Sequence, residues 1–123
     1  MEFFAQTHKT DLDVPHVQQL LTIATMPSLC QSITEVLADH VSHGGIYCLW
    51  GEFSINRELL KYGVRFSMPG CPNALAWTIT KDSDGHLVIH CTIDKKTHDP
   101  DFIDSIEEFV LDWKAGLNQA LDI

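Results

Sequence analysis

The most constraining feature of the sequence is a change of period. From Leu60 to Ile93, apolar and polar residues alternate in three runs separated by two clusters of turn residues. In the first run Leu60, Tyr62, Val64, Phe66 and Met68 share one side, and Lys61, Gly63, Arg65 and Ser67 the other. Pro69-Gly70-Cys71-Pro72-Asn73 then breaks the pattern. Proline fixes φ there, and glycine and asparagine accept the backbone angles of tight turns. Leu75, Trp77 and Ile79 alternate with Ala76, Thr78 and Thr80, and Lys81-Asp82-Ser83-Asp84-Gly85 makes the next turn. Leu87, Ile89, Cys91 and Ile93 alternate with Val88, His90, Thr92 and Asp94. Side chains along a strand point to opposite faces in turn, so these runs predict antiparallel strands with one face covered. Residues 46–55 are rich in β-formers and aromatics and predict one more strand, for a meander of about four. Asn56-Arg57-Glu58 predicts a turn, and a short helix over 55–62 is the competing reading.

A sheet with one apolar face must bury it against something. Phe102, Ile106, Phe109, Trp113, Leu117 and Leu121 recur at spacings of three or four, the stripe of a long helix. Asp99-Pro100 opens it, with Asp99 or His98 near the cap and proline in the first turn. Gly116 is a mild weakness in its interior, costing about 1 kcal/mol against alanine. Near the N-terminus Asp13 can cap a helix containing Pro15, Val17, Leu20, Leu21 and Ala24. A second helix is predicted from about Pro27, with Leu29, Ile33, Val36, Leu37 and Val41 as its stripe and Gly44-Gly45 as its end. Residues 1–12 lack a clear period and read as an arm or a short edge segment. The expectation is one α+β domain over residues 1–123. It is a two-layer sandwich in which N-terminal helices and a long C-terminal helix pack on one face of the meander.

The composition narrows the class of function. With 123 residues the chain can build one core but not two. Eight Lys and Arg against seventeen Asp and Glu give a net charge of −9, which argues against nucleic acid or an anionic membrane as a partner. The N-terminal residues Met-Glu-Phe-Phe-Ala-Gln lack the charge and apolar run of a secretion signal, so a cytoplasmic protein is expected. Cys30, Cys48, Cys71 and Cys91 form no Cys-x-x-Cys pair. They read as free thiols, mostly buried as small hydrophobes. Neither a glycine-rich phosphate loop nor a Gly-x-Ser-x-Gly nucleophile elbow is present, and no cofactor is expected.

Four groups of residues merit a chemical reading, each against a plainer one. Arg65 and His90 should share the polar sheet face with Glu52 and, two residues away, Trp50. Together they would make an anion pocket or an acid–base pair, whereas the plain reading is a solvated face with cross-strand charge pairs. His40 and His43, three apart on the predicted helix, could hold a metal with Glu35 or Asp39; the plain reading is a polar helix end. Cys71, between turn residues, could be a reactive thiol, or it simply packs beneath its turn. Asp101, Asp104, Glu108 and Asp112 line one side of the last helix, where Lys114 is the only cation. That stripe would suit a partner with a basic surface, or be a solvated face. The half-covered sheet favours a homodimer. The chain is therefore expected to be a small acidic binding or adaptor protein. A small-molecule binder or small enzyme built on Trp50, Glu52, Arg65 and His90 is the alternative.

Overall fold

A computed structural model describes residues 1–94 and 98–123. Its elements run β1 (Glu2–Lys9), α1 (Val14–Leu20), α2 (Met26–Leu29), β2 (Ile33–Asp39), β3 (His43–Cys48), β4 (Gly51–Leu60), β5 (Gly63–Ser67), β6 (Ala76–Lys81), β7 (His86–Thr92) and α3 (Pro100–Ala120). All strands join one antiparallel sheet of seven, in the order β1-β7-β6-β5-β4-β3-β2. Six strands form a meander, and β1 closes its far side against β7. The class is α+β with helices on one face, as the periodicity implies, but the sheet has seven strands rather than about four.

The difference lies in the first half of the chain. The predicted helix from Pro27 to Gly45 does not exist beyond α2; Ile33–Asp39 and His43–Cys48 are strands instead. Leu29, Ile33, Val36, Leu37 and Val41 mimic helical spacing because β2 shifts register twice, between Ile33 and Glu35 and between Val36 and Ala38. Such irregularities break the period of two. Gly44 does not cap a helix. It lies in β3, where a Cβ would come within 2.2 Å of the Ala38 carbonyl oxygen. The expected strand over 46–55 is split by a two-residue turn at Leu49-Trp50, with Cys48 paired to Gly51. Residues 55–60 complete β4, and the turn falls at Lys61-Tyr62 rather than at 56–58. The segment read as an arm or edge is an edge strand, β1.

α1 and α3 begin where their caps dictate. The Asp13 side chain accepts the His16 backbone N–H at 3.0 Å, and Asp99 accepts that of Asp101 at 2.8 Å. At the other end of α1, Arg57 of β4 donates to the carbonyls of Leu21 and Gln18, each at 2.7 Å. A cation there meets the negative end of the helix. The core between sheet and α3 is filled with aromatic rings. Trp77 stands edge-on to Phe109, centroids 4.9 Å apart, and meets Phe66 at 5.4 Å and Trp113 at 6.2 Å. The Nε1 groups of Trp77 and Trp113 are buried there without a hydrogen-bond partner among the described residues. Gly116 is needed where it stands, because a Cβ would come within 1.8 Å of the Leu29 carbonyl oxygen of α2. Among the described residues no helix is long and apolar enough to cross a membrane.

Candidate functional site

Residues directly opposite in an antiparallel ladder share a face. The register therefore sets Phe4, His90, Thr78, Arg65 and Glu58 in one row across five strands, on the sheet face away from α3. Arg65 and His90 do share that face, as the alternation predicts. Thr78 lies between them, so their backbones are about 10 Å apart, two strand spacings. Each is already engaged. Arg65 Nη1 meets Glu58 Oε1 at 2.8 Å, and His90 Nε2 meets Glu2 Oε1 at 2.9 Å. The His90 ring also stacks on Phe4, centroids 4.3 Å apart and planes 2° from parallel.

Glu52 and Trp50 do not join them. Glu52 pairs with Tyr47 of β3, six residues along β4 from Glu58, about 20 Å at strand rise. Trp50 sits in the β3–β4 turn and faces the helix layer. Its Nε1 donates to Ser105 Oγ at 2.9 Å, and its ring meets Phe109 at 5.0 Å. The expectation that residues two apart share a face fails because the chain reverses at Leu49-Trp50 and enters β4 through Gly51 at φ 110°. The four residues do not make one pocket.

His40 and His43 are neighbours, but in the β2–β3 turn and at the start of β3 rather than on a helix; their rings stack at 4.9 Å. Glu35 and Asp39 do not continue a row with them, since a strand does not bring residues four apart onto one rung. Among the described residues no three His, Cys, Asp or Glu side chains gather as a metal site would require. Cys71 is half-buried in the β5–β6 connection and packs on the core. Its turn is held by its own N–H to the Met68 carbonyl at 3.0 Å. The other three thiols are buried. Burial pushes Cys30 and Cys91 up to about 12 and raises Cys48 as well.

The acidic stripe of α3 divides. Asp101, Asp104 and Glu108 are exposed, while Asp112 is half-buried and accepts the Ser32 hydroxyl at 2.5 Å, just before β2. Glu108 and Asp112 thereby border a cleft of about 410 Å³ shared with Gln31, Thr34, Tyr47 and Leu49. Sequence reasoning missed this meeting of helix and strand, because it placed residues 33–41 on a helix. One signal was available: no Lys or Arg occurs between Lys9 and Arg57. No family model matches the sequence, and no curated protein or solved structure resembles it significantly.

Proposed function

We propose that this chain is a non-catalytic binding or adaptor protein that acts as a homodimer and receives a partner with a basic surface. The observation that carries this reading is the outer sheet face. No element of the described chain lies over it, and its middle is uncharged, with Ala76, Thr78, Thr80 and Val88 on neighbouring rungs. The polar groups beside that middle are already paired, Arg65 with Glu58 and His90 with Glu2. Two copies of a chain at net charge −9 repel each other over most of their surface. A face with uncharged threonine and valine at its middle is where they meet with least repulsion, across a two-fold axis. The alternative of a pocket enzyme needs Trp50, Glu52, Arg65 and His90 together, and their separation favours the adaptor. Four free thiols, three of them buried, suit a reducing compartment such as the cytoplasm.

Native mass spectrometry of the untagged chain, in buffer without chelator, reads oligomeric state and any retained mass together. A dimer without added mass is expected. Thr78→Lys sets a cation between Arg65 and His90 at the centre of the face, and should give a monomer with unchanged circular dichroism. A monomeric unaltered chain, or a stoichiometric metal or small-molecule mass, overturns the reading.

A further inference from the structure

We infer that the free edge of β2, together with the cleft at its start, takes one short extended segment of a partner protein bearing lysine or arginine, added as an eighth strand. The inference rests on the binding-protein reading and names the partner's chemistry and mode of docking. β2 is last in the strand order, so among the described residues no strand pairs with its outer side. An unpaired edge is a template for another strand. Glu35 and Asp39 lie on β2, and Glu108 and Asp112 lie across the cleft at its start. The 47 residues between Lys9 and Arg57 hold no Lys or Arg. Arg57 itself is committed to the carbonyls of α1. Apolar side chains stand exposed along the same corner: Leu37 is 44% exposed, Tyr47 51% and Leu49 40%. The register sets Glu35 with Tyr47 on the outer sheet face and Asp39 with Gly44 on the helix side, so a cationic side chain on either face of a docked strand meets a carboxylate.

Charge decides the occupant. A second copy of β2 would bring its own Glu35 and Asp39 to the seam, adding two carboxylates to the two already there. Like charges brought together across a ladder are destabilising, so self-pairing is disfavoured and a basic strand favoured. The two register shifts in β2 keep its edge from matching a long flat strand, which limits the docked segment to a few residues.

The test is an NMR titration of the isotope-labelled full chain with a synthetic peptide of alternating lysine and valine, against a glutamate–valine control. The lysine peptide should slow hydrogen exchange at backbone amides of residues 34–39, and the control should not. Glu35→Lys with Asp39→Lys should weaken binding by about tenfold. The amide map of the unaltered chain fixes the location whether or not that variant folds. Protection confined to the outer sheet face, or shifts confined to α3 without protection of β2, overturns the inference while leaving a binding protein. No response anywhere to the lysine peptide overturns it too, and the mass-spectrometric test then stands alone for the dimer. A chain that dimerises through β2 amides without peptide also overturns it.

Discussion

β1 and β2 hold equivalent positions at opposite margins of one sheet, and the chain treats them differently. β1 is a guarded edge. α3 packs along it, the Asn118 side chain accepts the backbone N–H of His8 at 3.0 Å, and Lys9 ends the strand. A covering helix and an edge lysine are both known ways of blocking unwanted pairing. β2 has neither. Its first residues are tied to α2 and α3 through Ser32 and Asp112, and from Thr34 onward it is mostly exposed, with acids as its only charges. The same backbone chemistry is closed on one side and available on the other. That asymmetry locates a docking strand better than any single side chain does.

Gly116 offers the largest test of what holds the arrangement. Helix propensity alone predicts that Gly116→Ala stabilises by about 1 kcal/mol. The structure predicts the opposite sign, because the new Cβ would meet the Leu29 carbonyl oxygen at 1.8 Å. Forced overpacking of this kind costs about 1–3 kcal/mol. Thermal unfolding should shift down by roughly 3–6 °C for each kcal/mol lost. A rise in melting temperature would show that α3 does not press on α2, and would remove the anchor of both edges at once.

A smaller effect is expected from Asn118→Ala, which strips the guard from β1 alone. An exposed hydrogen bond of this kind contributes about 0.5–1 kcal/mol. The sharper readout is amide exchange, which should quicken at His8 and stay unchanged along β2. If exchange quickens equally in both strands, the two edges are not independent and the comparison fails.

How much of this was legible depends on whether a segment keeps its period. β6, β7 and α3 were readable because Trp77, Ile79, Leu87, Ile89 and Cys91, and then Ile106, Phe109, Trp113 and Leu117, hold their spacing without interruption. Caps at Asp13 and Asp99 were readable for the same local reason. β2 was not, since two register shifts gave its apolar residues a helical rhythm. β1 was obscured because Thr7, a polar residue, takes a buried position, its Oγ1 accepting the Leu87 N–H, while Phe4 faces outward. Of the proposed pocket, the shared face of Arg65 and His90 followed from alternation within regular strands. The misplacement of Trp50 followed from a two-residue turn inside an otherwise β-forming run.

The four thiols provide the smallest perturbation and the finest discrimination between the edges. Cys48 is paired to Ile33 of β2, and Cys91 to Phe3 of β1. Burial raises both thiols above the ordinary 9.0, Cys91 to about 12. A buried thiol reacts only when its surroundings open, so labelling by iodoacetamide reports local opening. Half-buried Cys71 should label first in native buffer. With rising urea Cys48 should follow before Cys91, because the unguarded margin opens at lower free energy; peptide mass spectrometry of pulse-labelled protein gives the order directly. The reverse order would mean that α3 and Asn118 do not protect β1 and that β2 is the firmer edge. Raised thiol pKa values also fix a pH dependence. Below about pH 9 folded and unfolded chains both keep these protons, and stability is unaffected. As pH climbs from there toward about 12 the unfolded chain sheds protons that Cys30 and Cys91 retain when folded, so stability falls across that window. Cys30→Ala with Cys91→Ala should flatten that alkaline decline even though the variant starts from lower stability, and an unchanged slope would place the titrating groups elsewhere.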